Sequence, residues 1–212
     1  MEHFANLIKN RFSLVALLFV SLLLLSSVFI PFVSPYAEDI GGAINFKKGS
    51  QPPSFQHWFG TDVAGRDLFT LTIRSGLSSL KVAMGVVIIS VLIGVPIGMF
   101  SGISSRRIDE LIMRINDALL SFPPLILPFL ITAALGPSLN HIIIGISLSW
   151  FPWYVRIARA RALVVNSMGY VLMSKSMGAG KLFILRKHVL PNSISPIVVQ
   201  GTIDAGYAIL TA

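Results

Sequence analysis

Residues 140–161 read NHIIIGISLSWFPWYVRIARAR. From Asn140 to Val155 there is no Lys, Arg, Asp or Glu, and the stretch ends on Trp150, Trp153 and Tyr154, with Arg156, Arg159 and Arg161 following at once. Aromatic rings at headgroup level followed by basic residues mark a helix leaving a bilayer on its cytoplasmic side. Composition supports the membrane setting: hydrophobic residues make up 54% and charged residues 12% of the 212, with mean hydropathy +0.77. A soluble domain carries about 25% charged residues, so a chain this apolar is expected to be an all-α integral membrane protein.

Working outward from that exit, four more apolar segments qualify as spans. Residues 13–33 (SLVALLFVSLLLLSSVFIPFV) are uncharged and follow Lys9 and Arg11; they have the length for a ~30 Å hydrocarbon core. A cleaved signal peptide is the alternative, but Pro35-Tyr36-Ala37 makes a poor cleavage site. Residues 82–100 form the second span, with Gly94 and Gly98 at the four-residue spacing that lets membrane helices approach closely. The third, 111–135, contains Pro123, Pro124 and Pro128. Such breaks survive at membrane depth only where protein or water re-satisfies the backbone, so this helix is read as pore-lining or gate-adjacent, or else as kinked and packed. Arg114 and Asp117 are three apart and can pair on one face. The fifth span opens at Pro191 and carries Asp204, a carboxylate costly enough inside a membrane to imply a cavity or an ionic partner.

The spans place the N-terminus inside, 35–79 outside, 101–110 inside, 136–139 outside and 156–191 inside. Basic residues follow that scheme: Lys9, Arg11, Arg106, Arg107, Arg156, Arg159, Arg161, Lys175, Lys181, Arg186 and Lys187 fall on inside segments. The formal charge of +8 is therefore a cytoplasmic face, not a nucleic-acid footprint, and no nucleic-acid partner is expected. There is no cysteine, so disulfides and thiolate metal sites are excluded. None of the four histidines has a mate at metal-ligand spacing, and no cofactor is expected.

Within 35–79, His57-Trp58-Phe59-Gly60-Thr61-Asp62 and Gly65-Arg66-Asp67 crowd turn formers and opposite charges together. That pattern suits a structured extramembrane corner or, equally, an ordinary polar loop. Residues 161–190 are too polar to span. A helix to about Met177, a break at Gly178-Ala179-Gly180 and a second helix from Lys181 to Pro191 are expected, with Leu182, Leu185 and Val189 on one face. Two short amphipathic helices suit a groove on a soluble partner, or a surface of anionic lipid. Gly180-Lys181 is not a phosphate-binding loop, because Lys175 and Leu182 stand where a Gly and a Ser or Thr are needed. Any energy source must be another subunit.

These residues carry a resemblance. Gly178, Ile184, His188 and Val189-Leu190-Pro191 resemble the cytoplasmic signature of ABC-importer permeases, EAA, three residues, Gly, nine residues, Ile-x-Leu-Pro. The corner HWFGTDVAGRDLFTLTIRSGLSSL and the stretch DALLSFP, Asp117–Pro123, look like the dipeptide, oligopeptide and nickel subfamily. The EAA positions are Leu172, Met173 and Ser174, without the acidic residue the family commonly presents. The resemblance implies a type I ABC-importer permease fold, with about five of an expected six transmembrane helices here and a chain truncated at its C-terminus. Its implied organisation is a cytoplasmic N-terminus and first helix (1–34), an extracytoplasmic loop (35–79) and a permease core (80–212).

It further implies that the chain is not an enzyme and that ATP hydrolysis resides elsewhere. Its partners would be a second homologous permease subunit, two ATP-binding subunits, an extracytoplasmic solute-binding protein and the lipid bilayer of a prokaryotic inner membrane. ATPase coupling would fall to Leu172, Met173, Ser174, Gly178, Ile184, His188 and Pro191. The external motif would be Gly60, Thr61, Asp62, Gly65, Arg66 and Asp67, and the pore or gate candidates Asp117, Ser121, Pro123 and Asp204. Peptides, nickel or oligosaccharides are the solute classes. A non-transporting scaffold or degenerate paralogue is the alternative, and an intramembrane enzyme finds no nucleophile-base constellation in the sequence.

Overall fold

The computed structural model describes residues 11–211; Lys9 and Ala212 lie outside them. Among the described residues the regular structure is helical, apart from one isolated antiparallel bridge between Thr61 and Asp67. The chain divides into two compact units, Met1–Leu80 and Lys81–Ala212.

In the first unit α1 (Arg11–Val33) is apolar all round and buries only Ser27. A helix of that character is stable where its surroundings are themselves apolar. Ser27 is where α1 meets the start of a later helix, α3: its hydroxyl donates to Arg74 O at 3.0 Å and accepts from Leu77 N at 3.1 Å, and Arg74 Nη1 donates to Ser27 O. Opposite it, a side chain at Gly76 would stand 3.2 Å from Ser27 Oγ. A short helix α2 (Ala37–Ile40) and a 3₁₀ turn (Phe46–Lys48) follow.

Helix α3 (Leu68–Ile103) is longer than the expected span of 82–100. Its 36 residues extend about 54 Å, more than a ~30 Å hydrocarbon core requires. Residues 68–79, expected as loop, are therefore helical. Asp67 supplies the start, its Oδ2 accepting from Thr70 N at 2.8 Å and from the Thr70 hydroxyl at 2.7 Å.

In the second unit the remaining length of α3 packs on α6 (Leu139–Asn166), reached through α4 (Arg106–Leu120) and α5 (Ile126–Leu135). A Cβ on Gly94, Gly98 or Gly102 would lie 2.5, 2.2 or 2.7 Å from Phe151 O, Val155 O or the Ala162 methyl. Only glycine fits at these positions, and the two backbones meet along a ridge of small residues that includes Ala158 and Ala162. The Gly94/Gly98 pair expected from the sequence is thus a three-glycine seam.

The third expected span, 111–135, is two helices. Pro123 and Pro124 remove adjacent backbone donors in the turn after Ser121, while Pro128 is tolerated in the first turn of α5, where N–H groups lack intrahelical partners. Among the described residues two helices, α1 and α3, are long and apolar enough to cross a membrane by length and composition, and α5 is a shorter apolar helix. The fourth span lies within α6, which continues eleven residues past the expected end at 155, from Arg156 to Asn166.

After α6 come α7 (Gly169–Ser176), α8 (Lys181–Ile184), a π-helical turn (Leu185–Val189) and α9 (Leu190–Thr211). The expected separate helix ending at Pro191 is not separate: α8, the π turn and α9 run on without interruption. Pro191 has no N–H to give, and one residue earlier Leu190 N bonds back five positions to Leu185 O. The wider turn absorbs the proline that would otherwise stop the helix.

Candidate functional site

The segment 169–192 is built around its glycine turn. Gly178 has φ +86° and nothing within 4 Å of where a side chain would begin. Gly178 N donates to Lys175 O and Ala179 N to Ser174 O, which closes the C-terminal end of α7 in the left-handed manner glycine allows. Leu172, Met173 and Met177 on α7, and Leu182 and Phe183 on α8, are exposed, Met173 at 67% and Leu182 at 65%. An open cavity of about 470 Å³ lies between the two helices, lined by Ser174, Met177, Gly178, Phe183, Lys187 and His188 among others.

The expected apolar face of the second helix holds at Val189, which is buried, and at Leu185, which packs on the core; it is corrected at Leu182, which is exposed, with Ile184 buried in its place, five residues from Val189 across the π turn. Both join the core that includes Val171, Ala158 and Ala162. Ile184 is therefore an anchor of the segment, not part of its exposed surface.

His188 ties the two arms together. Its Nε2 lies 3.2 Å from Ser174 Oγ, and its ring sits 5.4 Å from Tyr170 and 5.7 Å, edge-on, from Phe183. Asn192 Nδ2 donates to His188 O at 2.7 Å and to the Tyr170 hydroxyl at 3.3 Å. Pro191 is exposed at the start of α9. Leu172, Met173, Ser174 and Gly178 thus lie on the outward side, and Ile184 and His188 hold that side in place. Tyr170 and Asn192 were missed as contributors, since nothing in the sequence signals a pairing across 22 positions.

The external motif folds into a hydrogen-bonded corner. Asp62 Oδ1 accepts from Ala64 N and Arg66 N, and its Oδ2 from Arg66 Nε at 2.8 Å and Nη2 at 2.7 Å. These donors, the Arg66 backbone N–H foremost, hold the Asp62 carboxyl below its ordinary value. Thr61 Oγ1 donates to Lys48 O and accepts from Gln51 N. Asp67 is buried, 2.9 Å from His57 Nδ1, and its own N–H donates to Asp39 Oδ2. Burial pushes Asp67 upward, but the Thr70 N–H, His57 and the Thr70 hydroxyl outweigh it and hold the carboxyl below its usual range. Gly60 and Gly65, at φ +75° and +80°, put their α-carbons against Gln51 O and Asn45 O, where a side chain would collide at 2.4 and 2.0 Å. Of the two readings left open, the structured corner holds. His57, Asp39 and Thr70 complete it; the spacing Asp67-x-x-Thr70 was the readable sign of the helix cap.

The pore candidates divide. Asp117, on α4, does not pair with Arg114; the like guanidinium of Arg156, brought in by α6, takes it at 2.7 Å. Ser121 Oγ donates to Ala118 O, and Pro123 is exposed in the following turn. Two α4 groups went unforeseen. Asp109 accepts both Arg159 nitrogens at 2.6 Å and the Ser101 hydroxyl; Arg159 chiefly draws the Asp109 carboxyl below its ordinary value. Asn116 is buried with neither amide atom bonded to another described residue.

Asp204 lies apart from these, on α9, 9% exposed, with Gln200 Nε2 donating to its Oδ1 at 2.9 Å. It lines a cavity of about 340 Å³ together with Trp150, Trp153, Ile157, Gln200 and Tyr207.

Comparison with known proteins agrees with the arrangement. Residues 94–212 match the family of binding-protein-dependent transport system inner membrane components, and residues 2–53 match the N-terminal transmembrane domain of oligopeptide transport permease C. The chain is 40% identical over 193 residues to a probable D,D-dipeptide transport system permease protein of Escherichia coli, covering 91% of this chain and 64% of that one. It is 37% identical over 213 residues to a dipeptide transport system permease protein of Alkalihalophilus pseudofirmus, covering 100% and 68%. It is 35% identical to the oligopeptide transport system permease protein OppC of Bacillus subtilis, covering 96% and 66%. The chain spans about two thirds of the length of these relatives. Matched by the family model over more than half its length, the chain belongs to the binding-protein-dependent transport system inner membrane components, the permeases of ABC importers.

Proposed function

We propose that this chain is a pore-forming subunit of an ATP-driven importer for peptides or a related solute, nickel or an oligosaccharide, in a prokaryotic inner membrane. A second permease subunit completes the pore, an extracytoplasmic solute-binding protein delivers the solute, and two ATP-binding subunits drive it. The chain performs no bond chemistry itself. The organisation that fits is a cytoplasmic N-terminus and first helix to residue 34, an extracytoplasmic loop over 35–79 and a permease core over 80–212. Segment 161–190 is then the part the ATPases grip.

One observation carries the reading: Leu172, Met173, Met177, Leu182 and Phe183 are exposed, Met177 and Phe183 of them at an open cavity, on a segment whose inner side is fixed by Ile184, Val189 and His188. Apolar side chains held outward on a rigid base suit a helix pair that enters a groove on a soluble partner. Because α8 runs through the π turn into α9, a push on the turn is delivered along a continuous helix to Asp204. Rocking of such helices about a midplane site is how alternating access is achieved.

A scaffold reading rests on Leu172-Met173-Ser174, which offers no carboxylate to the ATPase. Co-expression with the partner permease and ATPases, pull-down, and ATP-driven uptake in proteoliposomes separate the two. Assembly with uptake supports the importer subunit; assembly without uptake supports the scaffold; no assembly sinks the coupling assignment.

A further inference from the structure

We infer that the cavity beside Asp204 is a subsite for an organic ammonium group, such as the free amino terminus of a peptide. This deepens the importer reading and rests on it for its place on a transport route.

A carboxylate within a membrane helix needs a counter-charge. Asp204 has only an amide as hydrogen-bonding partner in the cavity, Gln200 on its Oδ1. The Tyr154 hydroxyl also approaches it, outside good hydrogen-bond geometry. No Lys or Arg lines the cavity. Arg156 lies with its guanidinium 5.8 Å from the Trp153 ring centre, but that guanidinium is committed to Asp117 at 2.7 Å.

The walls specify the kind of cation. Trp150, Trp153 and Tyr207 line the same cavity as Asp204, and ammonium groups are held by ring faces as well as by charge. A divalent metal would want several oxygen or imidazole ligands, whereas the cavity offers one carboxylate. Among the described residues no group of three His, Cys, Asp or Glu is placed to hold a metal. The volume, about 340 Å³, lies at the small end of ligand sites and suits a terminus with a side chain or two.

The test uses the full chain in lipid nanodiscs with Trp58→Phe, so that Trp150 and Trp153 are the remaining tryptophans. Alanyl-alaninamide, a cation, and its N-acetyl derivative, which is neutral, are titrated at constant ionic strength. A saturable fluorescence change is expected with the free amine, at least tenfold weaker with the acetylated probe. It is expected to disappear in Asp204→Asn and to persist in Asp204→Glu, which keeps the charge. Equal response to both probes, no saturable change, or wild-type binding by Asp204→Asn overturns the subsite. Uptake by the assembled importer is scored separately: lost uptake with intact binding counts against the importer reading and leaves the subsite standing.

Discussion

Gly65 and Gly178 hold nearly the same backbone angle, φ +80° and +86°, in opposite surroundings. At Gly65 the chain folds back until Asn45 O lies 2.0 Å from where a side chain would start, while at Gly178 nothing lies within 4 Å. The polar groups around Gly65 are matched to one another, Asp62 with Arg66 and Asp67 with His57, Thr70 and Asp39. Around Gly178 the exposed side chains are apolar ones, Leu172, Met173, Met177, Leu182 and Phe183, interleaved with basic ones, Lys175, Lys181, Arg186 and Lys187. The first turn is closed within its own chain; the second leaves its side chains outward, as the proposed coupling role requires.

The sharpest way to break that contrast is substitution of the two glycines. Gly65→Ala must displace backbone as well as adopt a strained φ, and should cost on the order of 3 kcal/mol or more. Limited proteolysis of the 35–67 region in nanodiscs reads it, and unchanged protection would contradict the packed corner. Arg159→Ala comes next. It strips a half-buried carboxylate, Asp109, of a two-pronged partner and leaves it the Ser101 hydroxyl, at about 1–2 kcal/mol. Thermal unfolding checks it, and Arg159→Lys, which keeps charge but not the fork, should recover only part of the loss.

Gly178→Val pays only the left-handed strain, about 1–2 kcal/mol. It should leave folding and assembly intact while uncoupling ATP hydrolysis from uptake. Coupling equal to wild type would show that the turn is no lever. Acid should separate the regions too. Asp67 and Asp109 have folded values below the ordinary ~3.9. The stability they contribute is therefore complete above that value and lost as pH falls through the lower folded values. Unfolding temperatures followed from pH 6 to pH 3 should fall less steeply in Asp67→Asn and Asp109→Asn than in wild type; equal slopes would refute the assignment. The smallest effect is expected at Leu172→Ala, within about 0.5 kcal/mol in the isolated chain, with weakened capture of the ATPase.

Much of this was legible in sequence because it is written locally. The uncharged runs of α1 and α3 and the glycine spacing at 94 and 98 each state their role within a few residues. What escaped depends on partners far along the chain. Asp117 has Arg114 within reach, yet Arg156, 39 positions away, takes it. The apolar face over 182–189 was read with a 3.6-residue period, and Pro191 imposes a π turn that brings Ile184 and Val189 together instead. Asp204 was visible as an anomaly, but two of the three aromatic residues in its cavity, Trp150 and Trp153, come from α6, half a hundred residues earlier.

The central claim, that segment 161–190 is the surface an ATPase grips, has a direct measurement. The chain contains no cysteine, so Met173→Cys and, in the corner, Ser50→Cys each provide a single reactive thiol. In the complex reconstituted with its partner permease and ATPases, a short thiol-directed cross-linker should join position 173 to an ATPase subunit, with a yield that changes on adding ATP, and should leave position 50 unjoined to it. No ATPase cross-link from position 173, or an equal one from position 50, would contradict the account.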